Sequence, residues 1–220
     1  FYYIGRLYLE KGSAHDLKDA EAYFKKSINI KADFIESVVA YGQLLEQTNR
    51  PEEAFHLFES FQDKQGPEAA IADALGRMYL ARGKPEKALQ QYAVIEKDDP
   101  ENLNVKLKVA LIMIELKEYP EAIRKLNLIL DKAPNSDKII FYLAAIYEET
   151  KNNDLAINYF QKIPASSTYY PEAVLHSSYL LKSKGETEKA IQVVEAAIDN
   201  RPDNPQFYIL FASYTNELKE

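Results

Sequence analysis

An alanine recurs in this chain at an unbroken interval of 34 residues. The six positions are Ala20, Ala54, Ala88, Ala122, Ala156 and Ala190. Because alanine fills about a tenth of an ordinary sequence, five further matches at one spacing have a chance probability of about 10⁻⁵. Such a period is typical of helix-turn-helix repeats, each of which buries its apolar face only against its neighbours. The sequence therefore predicts a helical repeat array.

Other positions of the repeat keep the same register. Four residues after each alanine comes a large apolar residue on the same helix face, namely Phe24, Phe58, Tyr92, Leu126, Phe160 and Val194. Twelve residues before the alanine comes a small residue, namely Gly42, Gly76, Ala110, Ala144 and Ser178. Two helices can approach closely only where one of them lacks bulk. Each repeat is thus predicted to pair a first helix with a second.

Proline and glycine mark the predicted helix ends. Pro51, Pro85 and Pro120 fall in the first turn of a second helix, where the missing N–H is harmless. A further set, Pro100, Pro134 and Pro202, closes second helices. Gly83 and Gly185 are predicted to terminate first helices.

At these positions the chain resembles the tetratricopeptide repeat family, whose pattern is matched most fully by Leu75-Gly76, Tyr79, Ala88, Tyr92 and Pro100. The resemblance implies an all-α fold, an α-solenoid wound as a right-handed superhelix. Departures from the family pattern occur at Ala32, Gly66, Thr168 and Ser177-Ser178. Repeat one also holds three extra residues, expected to lengthen its internal turn within about Gly12 to Leu17.

The period divides the chain into six repeats and one further helix. One array over 1–220 is predicted, with repeats at about 1–34, 35–68, 69–102, 103–136, 137–170 and 171–204, then a helix at 205–220. That helix matches the first helix of a seventh repeat, so we expect the chain to be part of a longer protein. Its Phe207, Leu210, Phe211 and Tyr214 are expected to be exposed and to promote self-association.

Composition excludes several function classes. A net charge of −7 argues against nucleic acid as the main partner, because phosphate binding requires clustered Lys and Arg. No apolar run approaches the ~20 residues of a membrane span. The absence of cysteine excludes thiolate catalysis, and His15, His56 and His176 lack metal-ligand spacing. We therefore expect no enzyme activity, metal or cofactor, whereas cytoplasm and bacterial periplasm both stay open as compartments.

The resemblance implies that the first helices line a concave groove. The candidate partner-binding residues are Arg77, Leu107, Lys108, Leu111, Ile114, Lys138, Phe141, Leu175 and Tyr179. Two interpretations of the apolar members stay open at this point. They either pack as core between neighbouring helices or form a docking surface, with Lys108 and Lys138 favouring acidic flanks in the partner.

Three functions fit this surface. The first is a non-enzymatic scaffold that binds a protein or peptide in the groove. The second is an accessory module of a larger bacterial secretion, envelope-assembly or exopolysaccharide machine. The third is the substrate-recruiting arm of an enzyme whose catalytic domain lies outside these residues.

Overall fold

The computed structural model describes residues 1–217 and contains thirteen α-helices and no strand within them. The helices are α1 Tyr2–Lys11, α2 Ala14–Ile30, α3 Ile35–Gln47, α4 Pro51–Gln65, α5 Ala69–Ala81, α6 Pro85–Asp98, α7 Leu103–Glu115, α8 Tyr119–Lys132, α9 Asp137–Glu149, α10 Asn153–Gln161, α11 Tyr170–Ser183, α12 Thr187–Asn200 and α13 Pro205–Glu217. The predicted all-α repeat solenoid is confirmed. The last three residues of the predicted 205–220 helix lie outside the described part of the chain.

The repeating core follows the sequence register. None of the six alanines has any exposed surface, and the large apolar residues four places later are buried as well. A Cβ added at Gly42 would lie 2.0 Å from Cζ of Phe58, and one at Gly76 would lie 2.8 Å from Cζ of Tyr92. At these two places only glycine lets the first helix approach the aromatic ring of the second.

All six first helices end in the same way. After the first helix of each repeat, one residue adopts a positive φ. From repeat one to repeat six these residues are Gly12, Asn49, Gly83, Lys117, Lys151 and Gly185. The predicted stops at Gly83 and Gly185 are confirmed. Lysine adopts the left-handed conformation in repeats four and five, where an L side chain costs about 1 kcal/mol.

The internal turn of repeat one is not lengthened, so that expectation was wrong. Only Gly12 and Ser13 separate the two helices, and the three extra residues instead extend the start of α2. The Ser13 hydroxyl accepts a hydrogen bond from the backbone N–H of Asp16 (3.1 Å), which caps the longer helix. His15 therefore lies in the first turn of α2 and not in a loop.

Repeat five has the shortest second helix of the described chain. Its α10 ends at Gln161, since Pro164 cannot continue a helix and disfavours helical geometry in the residue before it. The connection that follows is held by Arg201, whose Nε and Nη2 donate to the carbonyl oxygens of Ala165 (2.6 Å) and Ser167 (2.7 Å).

Salt bridges connect neighbouring repeats near the internal turns. Arg50 donates to both carboxylate oxygens of Glu21 (2.7 and 3.1 Å), and the hydroxyl of Tyr41 donates to the same carboxylate (3.0 Å). The Arg50 guanidinium lowers the pKa of Glu21 to about 2, although partial burial opposes this shift. A different pair recurs in two places, because Arg82 contacts Glu52 (2.8 Å) and Lys184 contacts Asp154 at the same positions three repeats later.

The chain divides into two compact units, an N-terminal unit of Phe1–Lys108 and a C-terminal unit of Val109–Glu220. Within each unit, second helices pack against the first helix that follows, as in α2 with α3 and α10 with α11. Among the described residues, none of the helices combines the length and apolar character required to cross a bilayer. The superhelical hand and the continuity of a single array stay predictions.

Candidate functional site

The candidate residues fall into two groups, one in each compact unit. Arg77, Leu107 and Lys108 belong to the N-terminal unit. The other six, Leu111, Ile114, Lys138, Phe141, Leu175 and Tyr179, belong to the C-terminal unit. None of the apolar members is buried, and all except the exposed Tyr179 are partly exposed. Partial exposure is consistent both with packing between neighbouring helices and with a docking surface, so both interpretations stay open.

In the N-terminal unit the first-helix face carries charges that neutralise one another. Arg77 lies 3.5 Å from the carboxylate of Asp73 and 3.8 Å from that of Glu46 on the preceding first helix. Nζ of Lys108 donates to Asp73 (2.6 Å) and lies 5.2 Å from the ring centroid of Tyr92. We call Glu46, Asp73, Arg77 and Lys108 the charge ladder. Its two cations, including the predicted selector Lys108, already contact carboxylates.

In the C-terminal unit the corresponding face is apolar and aromatic. The ring of Phe141 lies 5.1 Å from that of Tyr169 and 5.6 Å from that of Phe160, measured between centroids. On α11 the side chain of Tyr179 is 60% exposed, and on α13 that of Ile209 is 68% exposed. We call Lys138, Phe141, Leu175, Tyr179 and Ile209 the aromatic face.

Polar contacts join the three helices that carry the aromatic face. Nδ1 of His176 on α11 lies 2.8 Å from Oε2 of Glu148 on α9, and the imidazole stacks on Phe160. Nζ of Lys182 on α11 lies 2.6 Å from Oε1 of Glu217 on α13. These contacts join neighbouring first helices of the C-terminal unit.

Lys138 is the exposed cation of the aromatic face. Its Nζ lies 6.0 Å from the ring centroid of Tyr142, one helical turn further along α9. At this distance a cation–π contact is worth about 0.5–1 kcal/mol at an exposed site and leaves the ammonium open to an acidic group. The positive charge of Lys138 is therefore accessible to a partner, whereas that of Lys108 is already paired with Asp73.

The histidines do not form a metal site in the described part of the chain. His15 and His56 are exposed and lie 3.7 Å and 3.9 Å from single carboxylates, Asp19 and Glu59. No group of three His, Cys, Asp or Glu side chains able to hold a metal ion occurs among residues 1–217.

Sequence reasoning did not find the grooves between second helices. A shallow groove of about 540 Å³ lies between α10 and α12, with Ile157 and Val193 in its wall and Lys184 and Glu186 at its rim. Pro164, which ends α10 early, was the available sequence signal for this groove. A smaller apolar groove is lined by Ile28, Ala32, Val38, Leu57 and Phe61.

The exposed side of the last helix differs from the expectation. Phe207 and Tyr214 are buried, because they face the preceding helices, and the hydroxyl of Tyr214 hydrogen-bonds with that of Ser178 (3.3 Å). Tyr208, Ile209 and Ala212 are among the exposed residues of α13, while Leu210 and Phe211 are partly covered. The expected exposure of Phe207 and Tyr214 was therefore wrong.

Comparisons with known proteins agree with this architecture. Three family models, each described as a tetratricopeptide repeat, match residues 39–102, 79–145 and 171–204, which together make up more than half of the chain. The TPR repeat-containing protein MJ0263 of Methanocaldococcus jannaschii is 30% identical over 97 residues, covering 42% of this chain and 30% of that protein. Human protein O-mannosyl-transferase TMTC1 is 24% identical over 145 residues, covering 64% of this chain and 16% of the transferase.

A solved structure has a similar fold. The crystal structure of YrrB, described as a TPR protein with an unusual peptide-binding site, superposes with a TM-score of 0.67 at 17% identity, covering 88% of this chain and 97% of YrrB. At this identity the likeness concerns the fold alone. The matched part of the chain spans less than a third of the length of each of these two relatives. Its repeat register, helical architecture and family matches identify the chain as a tetratricopeptide repeat protein.

Proposed function

We propose that the chain is a non-enzymatic scaffold that binds a protein or peptide partner on the aromatic face of its C-terminal unit. The observation that carries this proposal is the exposure of Tyr179 and Ile209 beside the partly exposed Phe141 and Leu175. Contiguous apolar surface on neighbouring helices favours docking of a partner helix or extended segment. The fold is that of an interaction scaffold, and YrrB is described as having a peptide-binding site of its own.

The aromatic face favours a partner with apolar anchors and an acidic neighbour. Tyr179 and Phe141 offer large, rigid rings, which lose little conformational entropy when they bind. Lys138 supplies a positive charge next to them. Rim charges of this kind act mainly on association rate and orientation, whereas buried anchors supply most of the affinity. The charge ladder is a weaker candidate, since a ligand there would have to displace existing ion pairs.

The predicted residues of α7 extend this proposal. Leu111 and Ile114 are partly exposed and belong to the C-terminal unit, and we propose them as further apolar contacts. Leu107, Arg77 and Lys108 belong to the N-terminal unit, and a role for them in binding stays a prediction.

The experiment begins with random peptides displayed on phage and selected on the purified chain. Binding of a selected peptide is then measured by fluorescence anisotropy for the wild type and for Leu175→Asp. A charge in the aromatic face should weaken binding at least tenfold, or about 1.4 kcal/mol. The control is Leu155→Asp, because it makes the same substitution at an exposed leucine on the second helix α10, away from the aromatic face.

Two results would contradict the proposal. One is a Leu175→Asp variant that keeps its circular dichroism spectrum and binds the selected peptide at full strength. The other is equal loss of binding in Leu155→Asp, which would place the contact on the second helices. If Leu175→Asp unfolds, Tyr179→Ala replaces it, because the Tyr179 side chain is exposed and contributes little to the core.

The alignment with TMTC1 favours a second candidate function. That transferase is much longer than this chain, so the repeats could serve as the substrate-recruiting arm of an enzyme. This alternative uses the same aromatic face and differs in its partner, which would be a protein substrate of the attached enzyme. An accessory role in a secretion, envelope-assembly or exopolysaccharide machine stays a prediction.

We further propose that α13 takes part in self-association. Tyr208 and Ala212 are exposed on the side of α13 that the register assigns to a following second helix. Exposed apolar surface of this kind promotes contacts between copies.

A further inference from the structure

The smaller of the two grooves between second helices lies between α2 and α4 and takes no part in the proposed function. We call it the α2–α4 groove. Its wall is apolar, because Val38 and Phe61 are buried and Ile28 and Leu57 are partly exposed. Every residue that lines it belongs to repeats one and two of the N-terminal unit. The helices on both sides of the groove are therefore part of the described chain.

A departure from the repeat pattern lies at the edge of this groove. Twelve residues after the repeat alanine, repeats three, four and six have Pro100, Pro134 and Pro202, whereas repeat one has Ala32. Ala32 is exposed and lines the α2–α4 groove. Alanine lacks the ring carbons of proline, so this edge of the groove is less filled than it would be with the proline of the other repeats.

The volume of the α2–α4 groove fits one large side chain. The groove encloses about 160 Å³. In another protein an apolar cavity of about 150 Å³ binds benzene, whereas sites for larger ligands enclose about 300–1,000 Å³. A single leucine or phenylalanine side chain of a partner therefore matches this space better than a larger ligand does.

Hydrogen-bond donors border the apolar wall. They are the side chains of Ser60, Lys64 and Gln65 on α4, and none of the three forms a hydrogen bond or an ion pair with another residue of 1–217. No acidic residue lines the groove. The larger groove between α10 and α12 differs, because its Lys184 already pairs with Asp154. The α2–α4 groove therefore combines an apolar wall with an unpaired positive charge.

We infer that the α2–α4 groove binds an internal segment of a partner protein that carries one large apolar side chain next to an aspartate or glutamate. The apolar side chain lies between α2 and α4, and the carboxylate lies beside Lys64. A carboxylate accepts several hydrogen bonds, so Ser60 and Gln65 can donate to it as well. The buried apolar anchor supplies most of the affinity, and the charge at the edge sets the orientation. This site is separate from the aromatic face, so neither proposal rests on the other.

The test selects peptides for this groove. Random peptides, each fused through its carboxyl end to a phage coat protein, are selected on the purified chain after removal of those that bind Ser60→Leu. The larger side chain of that variant occupies the groove. The enriched peptides should share a large apolar residue next to an acidic one. By fluorescence anisotropy their affinity for Ser60→Leu should be at least tenfold lower than for the wild type, with the fold of the variant checked by circular dichroism.

A second variant narrows the groove through the backbone pattern of the other repeats. Lys31, directly before Ala32, has an extended backbone (φ −139°, ψ 96°), as do the residues before Pro100 and Pro134. Proline is compatible with an extended preceding residue, so Ala32→Pro should fold. Because Ala32→Pro is not used in the selection, weaker binding to it independently assigns the peptides to the α2–α4 groove.

Charge variants test the acidic neighbour. Lys64→Gln should lower the affinity about two- to fivefold, as expected for an exposed ion pair. Lys97→Gln is the matched control, because Lys97 also lies in the last turn of a second helix but outside this groove. Lys64→Glu should prefer the same peptide with its acidic residue changed to lysine.

Several results would overturn the inference. One is a selection that enriches no peptide, and another is enrichment of peptides without an acidic residue. Equal losses in Lys64→Gln and Lys97→Gln would remove the role of Lys64. Loss of binding in Leu175→Asp but not in Ala32→Pro would assign the peptides to the aromatic face. Binding of phenylacetate in the groove without any enriched peptide would indicate a small-molecule site instead.

Discussion

The charge ladder of the N-terminal unit joins the first helices α3, α5 and α7 through ion pairs, whereas α11 and α13 of the C-terminal unit carry exposed apolar and aromatic side chains beside their own ion pairs. Arg77 and Lys108 each contact Asp73, while Tyr179 extends into solvent. The buried register beneath the two faces is the same, with alanine in every second helix. The packing between helices therefore does not determine which residues the first helices expose, and repeats with the same core can expose either charged or apolar side chains.

The two units also differ in how their paired helices meet. In the N-terminal unit glycine faces an aromatic ring, as at Gly42 and Phe58. In the C-terminal unit the same register position already holds a Cβ, in Ala144 and Ser178. The N-terminal packing therefore depends more strongly on one missing methyl group per repeat.

The largest expected effect tests this difference. Gly42→Ala places a methyl group against the ring of Phe58 and should lower the free energy of unfolding by about 2–3 kcal/mol, because a packed core tolerates added bulk poorly. Urea denaturation followed by circular dichroism measures the change. The double variant Gly42→Ala/Phe58→Leu reproduces the Ala110 and Leu126 pair of repeat four and should recover part of the loss. If Gly42→Ala leaves the free energy of unfolding unchanged, the packing of the N-terminal unit does not depend on the missing methyl group.

An intermediate effect concerns acid stability. Glu21 has a pKa of about 2 in the folded chain against 4.5 for an ordinary glutamate, so its salt bridge stabilises the fold fully above pH 4.5. This contribution, at most about 3 kcal/mol, is lost as the pH falls from 4.5 towards 2. The difference between the urea midpoints of wild type and Glu21→Gln should therefore be largest at pH 7 and become much smaller as the pH falls to 2.5.

The control for acid stability is an exposed inter-repeat ion pair of the C-terminal unit. Asp154 is largely exposed beside Lys184, so Asp154→Asn should change the urea midpoint little at any pH. A difference between wild type and Glu21→Gln that stays constant from pH 7 to pH 2.5 would contradict the assigned role of Glu21.

The smallest effect concerns the turns. Lys151 has a φ of 62°, a conformation that glycine adopts without the steric cost of a Cβ. Lys151→Gly should raise the free energy of unfolding by up to about 1 kcal/mol, since relief of strain exceeds the extra freedom of the unfolded chain. Lys162, in a right-handed conformation at the end of α10, is the matched control, and Lys162→Gly should not stabilise. If both substitutions change the free energy of unfolding equally, the positive φ of Lys151 is not the cause of the stabilisation.

The sequence predicted the repeat core because that core depends on contacts that recur at one interval. Ala88 and Tyr92 lie on one face of any helix, whatever surrounds them. The capping residue Ser13 and the helix-ending Pro164 were local signals that could have corrected repeat one and shortened α10. The pairing of Lys108 with Asp73 could not be predicted, because it depends on side-chain conformations across 35 residues of sequence. The half-exposed state of Leu107 and Leu111 likewise depends on how closely neighbouring helices pack.

The contacts of Arg201 have a consequence for how the C-terminal unit opens. Its guanidinium, at the end of α12, supplies two donors to the carbonyls of the connection after α10, which belongs to the preceding repeat. In repeat arrays the stability of one repeat depends on its interface with the next. Fraying of the end of α12 would leave those carbonyls without these donors, so the two segments should exchange their amide hydrogens as one cooperative unit.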